Sequence, residues 1–301
     1  MPPIPTTMRR LLDDHDGLLL DAYGVLVDVS GPLPGAVELI ELLEATAKPY
    51  AICSNDASRL PATYAARFAR ADLNIPAARI ASAGMLLAGY FSRHAMEGAR
   101  CAVLGTPDAL AFVTAAGGEP VPLRQGMEID ALVVCDDEGF DFREALDLTL
   151  SAAVRAVSAG RPLQLVLPNP DILYPKCAGE FGFTAGGMAC MIEAGLARRF
   201  PGLGLTFTRL GKPGAELLHF AHRQILGGLR ADRLVMVGDQ VETDIAAAAA
   251  AGLASALVDG ISQWSHVQDP LHARAAQPAA TSSGAWRPAA EPTYLLSSVT
   301  P

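Results

Sequence analysis

Seven short apolar runs recur along the chain: GLLL at 17–20, YAIC at 50–53, CAVLG at 101–105, ALVVC at 131–135, LQLVL at 163–167, LVMVG at 234–238 and SALVD at 255–259. Strands that are apolar throughout, rather than at every second residue, are buried on both faces, and this requires parallel sheets covered by helices. The intervening segments have the helical pattern that such a sheet needs. After Pro34 and Gly35, the residues Ala36, Ile40, Leu43 and Ala47 fall on one stripe; after Lys212 and Pro213 the stripe is Leu218, Ala221 and Ile225. The run DIAAAAAAGL is a helix of the best helix former, closed by Gly252. The predicted class is α/β, a doubly wound parallel sheet.

Composition narrows the function classes. Half of the 301 residues are hydrophobic and 18% are charged, but no apolar run reaches the ~18–20 residues of a membrane span. A net charge of −9, with scattered Lys and Arg, opposes a nucleic-acid surface. The segment MPPIPTTMRRLLDDHDG lacks the apolar stretch of a secretory signal, so a cytoplasmic location is expected. Five cysteines (Cys53, Cys101, Cys135, Cys177 and Cys190) are widely spaced, without a C-x-x-C pair, and are read as structural thiols. From about Gln268 to Pro292 the chain is rich in Pro, Ala and Ser and is expected to be loop, flanked by Trp264 and Trp286 as anchors, before a last strand in TYLLSSV.

Polar residues cluster where the apolar runs stop. LLLD delivers Asp21; YAICSND delivers Ser54, Asn55 and Asp56; LVMVGDQVETD delivers Asp239 and Asp244. In open α/β sheets ligands bind outside the carboxyl ends of the strands, so these groups can converge on one crevice. RLGKPGAELL adds Lys212 just before a helix. Each feature alone is commonly a turn or a cap. Their order is the informative part.

Asp-x-x-Gly-Val, then Ser-Asn, a Lys-Pro and Gly-Asp-x4-Asp resemble the four motifs of the haloacid dehalogenase superfamily. GPLPGAVELIELL and the Asn-Pro-Asp at 169–171 look like its class IIA branch, the 4-nitrophenylphosphatase-like sugar and nucleotide phosphatases. The resemblance implies a Rossmann-like core, residues 1–83 and 208–301, interrupted by an α/β cap at 84–207 that chooses the leaving group. It implies a Mg²⁺-dependent phosphatase acting on a small-molecule phosphate ester, with a homodimer as one assembly. By the same resemblance Asp21 is the nucleophile. Asp21, the Tyr23 carbonyl, Asp239 and Asp244 hold the metal, and Lys212, Ser54 and the Asn55 N–H bind the phosphoryl group. Asn169 and Asp171 are expected near the cap–core crevice.

One residue departs from the family pattern. Two positions after the nucleophile such phosphatases carry an aspartate that protonates the leaving alcohol; here it is Tyr23, and a phenol with a pKa of about 10 is a poor base near neutrality. Asp56 is the expected substitute base, while Asp28 and Glu242 are read as solvated. DAYG is also the form found in haloacid dehalogenases, which makes carbon–halogen hydrolysis the alternative chemistry, although those enzymes carry a smaller helical cap after the first motif. A third reading is an impaired protein that binds a phospho-ligand. Gly186 and Gly187 are read as a helix-start turn, and His219 and His222, at i, i+3, as packing or surface residues.

Overall fold

The computed structural model describes residues 2–177, 180–258 and 290–301, with Cys177 as backbone alone. Trp264, Trp286, Asp259 and the Pro/Ala/Ser-rich segment up to 289 lie outside the described residues.

The chain opens with β1 (Ile4–Thr6), α1 (Met8–Asp14) and β2 (Gly17–Leu20). A small antiparallel hairpin, β3 (Val27–Asp28) and β4 (Gly31–Pro32), precedes α2 (Ala36–Ala45), β5 (Tyr50–Ser54), α3 (Pro61–Ala69) and β6 (Ile80–Ser82). After α4 (Leu86–Arg93) come β7 (Arg100–Leu104), α5 (Pro107–Ala115), β8 (Glu119–Pro120), β9 (Ala131–Val134), α6 (Phe142–Ser158) and β10 (Gln164–Leu167). The antiparallel hairpin β11 (Leu173–Cys177) and β12 (Glu180–Phe183), α7 (Ala185–Arg199) and β13 (Thr208–Arg209) follow. The chain then runs through α8 (Glu216–Gln224), β14 (Leu234–Gly238), a π turn at Val241–Ile245, α9 (Ala246–Ala251), β15 (Ala254–Val258) and β16 (Tyr294–Leu296).

Two parallel sheets result. The larger has the order β1-β16-β15-β14-β2-β5-β6, and the smaller, drawn wholly from 100–209, has the order β13-β10-β9-β7-β8. In the larger sheet β2 lies between β14 and β5, with Val237 opposite Leu20 and Leu20 opposite Ile52. The three strands therefore end within two residues of one another, and the residues at and just beyond their ends share one crevice.

The continuous apolar runs have the expected cause. Leu18 and Leu20 face a layer formed with α1, α2 and α3, including Leu11, Leu39, Ile40 and Phe68, whereas Leu19 and Ala51 face the other way. That second layer is shared: Leu19, Ala51 and Cys53 belong to one core cluster with Leu87, Tyr90 and Phe91 of α4 and with Val103, Val133 and Val166 of the smaller sheet. The reverse face of the smaller sheet packs on α6 and α7 through Leu132, Val134, Ala152 and Met188. Burying each such side chain is worth roughly 1.5–3 kcal/mol, so truncating Leu19 to Ala would cost about 2–5 kcal/mol.

Several expectations meet differences. α2 stops at Ala45, and Ala47, expected on its buried stripe, is exposed in a left-handed turn with φ 49°. Lys48, the next residue, leads the chain away toward β5, which ends the helical stripe early. Cys53, Cys101 and Cys135 are buried thiols, whereas Cys190 is an exposed one. The strand in TYLLSSV forms, as β16, and is inserted between β1 and β15. The Ala-rich helix closes on Gly252 with φ 70°, as its composition demands.

Candidate active site

Asp21 follows β2, Asp239 follows β14, and Asp244 sits in the π turn beyond it. One carboxylate oxygen of each lies within 4.8 Å of the others, and the residues are 6%, 2% and 0% exposed. Lys212 enters from the turn before α8, with Nζ donating to Asp21 Oδ1 at 2.7 Å and to Asp244 Oδ1 at 2.6 Å. One buried ammonium thus faces three buried carboxylates. Burial pushes the Asp21 carboxyl up from its ordinary value; Lys212 opposes this and the Asp244 charge adds to it. For Lys212 burial works against the charge, but the two carboxylates outweigh it and keep the ammonium protonated. Lys212 is a fixed positive charge rather than a base.

The loops are shaped for this approach. Gly24, at φ 91°, passes so close to Asp239 that a Cβ would lie 2.3 Å from its Oδ2, which is why Asp-x-x-Gly needs glycine. Asp244 Oδ2 accepts the backbone N–H groups of Asp239 and Gln240, both at 3.1 Å, and so fixes the loop that presents Asp239.

Asn55 does structural work with its side chain. Its Oδ1 accepts the Lys212 N–H at 2.8 Å, and its Nδ2 donates to the Lys212 carbonyl at 3.0 Å and to Asp171 Oδ1 at 2.9 Å. Asp171 is in turn shaped by Asn169, whose Oδ1 accepts its N–H at 3.0 Å. Burial raises the Asp171 carboxyl, and the Asn55 bond partly offsets that. Gly186 packs under this turn: its N–H donates to the Asp171 carbonyl at 2.9 Å, and a Cβ would lie 2.3 Å from the Pro170 carbonyl oxygen. The glycine therefore serves the helix start of α7.

Ser54 ends β5 with Oγ accepting the Asp56 N–H at 3.2 Å and lying 3.3 Å from the hydroxyl of Tyr64 on α3. Asp56, expected as a substitute base, is bonded within its own turn. Its Oδ1 accepts from Ser58 N–H, Ser58 Oγ and Arg59 N–H at 2.6, 2.9 and 3.1 Å, and its Oδ2 pairs with Arg59 at 2.6 Å. Asp28 accepts the Ser30 N–H at 2.6 Å in the β3–β4 hairpin, and Glu242 is exposed. His219 is exposed, and a His222 ring nitrogen lies 2.8 Å from the Leu229 carbonyl oxygen.

Tyr23 crosses the crevice. Its hydroxyl donates to the carbonyl of Pro175 in β11 at 2.9 Å. Burial, reinforced by the charge of Asp28, pushes the phenol up to about 12, further from any role as a base.

A cavity of about 520 Å³ opens beside these groups, between Tyr23 and Ser54 of the larger sheet's loops and Asp136, Asn169 and Tyr174 of the smaller unit. A second, of about 240 Å³, is lined by Asp171, Lys212, Gln240 and Thr243. Asp136, Tyr64 and Arg59 were not singled out from sequence. Asp136 was findable, because it follows ALVVC as Asp21 follows GLLL; its carboxyl is pushed up by burial and by neighbouring Asp137. Tyr64 left no signal, since a tyrosine on a helix reads as core.

Comparison with known proteins agrees with this architecture. Residues 18–119 match a family model described as haloacid dehalogenase-like hydrolase, and residues 209–299 match a second, HAD-hydrolase-like model. Human glycerol-3-phosphate phosphatase is 29% identical over 285 residues, covering 87% of this chain and 84% of that protein. Among solved structures, a possible sugar phosphatase from Cytophaga hutchinsonii superposes with a TM-score of 0.79 at 27% identity, covering 99% of both chains. Glycerol phosphate phosphatase from Mycobacterium tuberculosis, solved in complex with magnesium, gives a TM-score of 0.71 at 25% identity, covering 95% of this chain and 75% of that one. Matched over residues 18–119 and 209–299, the chain belongs to the haloacid dehalogenase-like hydrolases, in their class IIA branch.

Proposed function

We propose that this protein is a Mg²⁺-dependent phosphatase of small phosphomonoesters that works through an aspartyl-phosphate on Asp21. The observation that carries the reading is the buried cluster of Asp21, Asp239 and Asp244 around a single close lysine. Three buried carboxylates gathered this closely concentrate an excess of negative charge that a cation would offset. An all-oxygen donor set with that excess fits a hard divalent cation such as Mg²⁺. The magnesium complex of the mycobacterial relative supports the same choice.

In this reading Asp21, the Tyr23 carbonyl and Asp239 hold the cation, with Asp244 steadying the loop and Lys212 behind them. When bound, Mg²⁺ supplies positive charge to the phosphoryl oxygens. One Asp21 oxygen attacks phosphorus in line; the P–O bond to the alcohol breaks, and its electron pair leaves with the alcohol oxygen, which takes a proton. Lys212, the Ser54 hydroxyl and the N–H of Asn55 would offset the charge on the transferring group. Water then attacks the aspartyl-phosphate, releasing inorganic phosphate and regenerating Asp21. The unit spanning 84–207 acts as the cap that admits the leaving group, with Asn169 and Asp171 at its seam with the core 1–83 and 208–301. Asp136, which lines the larger cavity with a raised carboxyl, is the group we assign to proton exchange with the leaving oxygen. An Asp136→Asn variant whose turnover and pH profile match the parent would sink that assignment.

The test of the function is release of p-nitrophenol from p-nitrophenyl phosphate with and without Mg²⁺, beside Asp21→Asn. Metal-dependent release lost in the variant is expected. Halide release from 2-haloacids without metal would instead establish the dehalogenase reading, and phosphate-ester binding without turnover in any metal would establish an impaired binding protein.

A further inference from the structure

We infer that Tyr23 is a positioning residue: its hydroxyl ties the turn that carries the nucleophile to the β11–β12 hairpin of the inserted unit, and so sets the width of the leaving-group cavity. This rests on the phosphatase reading for its functional consequence, though the tie is a property of the folded chain.

The tie joins groups far apart in sequence. Tyr23 lies two residues after Asp21, while its acceptor, the Pro175 carbonyl, is 152 residues away. Each end is anchored to its own unit. The Tyr23 turn is pinned by the Gly24 N–H donating to the Val27 carbonyl at 2.8 Å and by the bridge between Tyr23 and Val27. Pro175 stands opposite Phe181 across the hairpin, whose start is fastened to α7 by the Thr184 N–H donating to the Ile172 carbonyl at 3.0 Å. Tyr23, Tyr174 and Pro175 all line the same 520 Å³ cavity, so the bond is part of that cavity's wall.

The same geometry removes Tyr23 from proton transfer. Its one proton is directed at Pro175, away from a leaving oxygen, and a carbonyl cannot return a proton to it. A carboxylic acid at this position would be shorter than the phenol and would not reach the hairpin by the same bond. The side chain here therefore serves the seam rather than the chemistry.

Tyr23→Phe deletes the hydroxyl and keeps the ring. Hydrogen exchange of the ligand-free protein should become faster in the 173–177 segment, by roughly three- to tenfold for the loss of one such bond, with the exchange of β2 and β14 unchanged. With a series of aryl and alkyl phosphates, KM should rise by a similar factor and carry most of the loss, while the dependence of kcat on leaving-group pKa keeps its slope. Unchanged exchange in 173–177 would overturn the tie, whether or not the protein proves to be a phosphatase. A fall in kcat that steepens with leaving-group pKa, at unchanged KM, would show the hydroxyl acting as the acid and overturn the positioning role. Absence of turnover in the parent with every ester would instead strike the phosphatase reading and leave the exchange result standing.

Discussion

Asn55 brackets the backbone of Lys212, accepting its N–H at 2.8 Å and donating to its carbonyl at 3.0 Å. The lysine is thereby aimed from behind, by a residue that follows β5, at carboxylates that follow β2 and the β14 end. Asn55→Ala leaves a buried N–H, a buried carbonyl and the Asp171 carboxyl with one partner fewer each. The expected loss is about 3–9 kcal/mol, from roughly 1–3 kcal/mol for each of the three buried groups stripped of its bond. Urea unfolding of parent and variant measures it, and a midpoint within error of the parent would refute the bracket's importance.

Metal binding should be readable without turnover. A ligand that binds only the folded state at a hundred times its Kd adds about 2.7 kcal/mol. Titrating Mg²⁺ into the protein should therefore raise Tm by several degrees, and chelation should reverse the rise. Asp239→Asn should abolish most of the response; a variant that keeps the full shift would place the cation elsewhere.

Gly24→Ala tests the close approach over Asp239. Its φ of 91° is a left-handed conformation and its added Cβ would sit 2.3 Å from Asp239 Oδ2. The carboxylate must move, so the Mg²⁺-induced rise in Tm should shrink together with activity, and stability without metal should fall by about 1–3 kcal/mol. A full metal response in this variant would mean that the turn relaxes at no cost to the site.

His15 predicts a pH dependence remote from the crevice. It is buried, its ring packs edge-on at 5.7 Å against Tyr294, and neither ring nitrogen has a hydrogen-bond partner among the described residues. Burial lowers its pKa from 6.5, and the charges of Arg233 and Lys48 add to the effect against Asp14 and Asp16. The unfolded chain therefore takes up the proton more readily than the folded one, and stability rises with pH between the lowered native value and 6.5. Stability should be lost as pH falls below 6.5 and level off once the native ring also titrates. Chemical denaturation from pH 7.5 to 5 checks this, with His15→Phe expected to flatten that part of the curve.

The sequence by itself determined the parallel α/β class and the seven apolar strands, because a strand buried on both faces has no room for polar residues. It also marked the polar residues at the strand ends. Asp21 and Asp239 follow such strands and Ser54 ends one, and parallel strands in register bring those ends to one edge of the sheet. The Asx-type turn in which Asp56 accepts from its near neighbours Ser58 and Arg59 was legible too, since such turns are local in sequence. The tertiary structure alone decided the rest. That Tyr23 bonds Pro175, that Tyr64 stands over Ser54, and that Asn55 holds Lys212 depend on how separate elements are docked, with sequence separations of 152, 10 and 157. Strand patterning reports which face is buried, but the direction of a hydroxyl or an amide is set by the one acceptor or donor within reach after packing, and that carries no periodic signal.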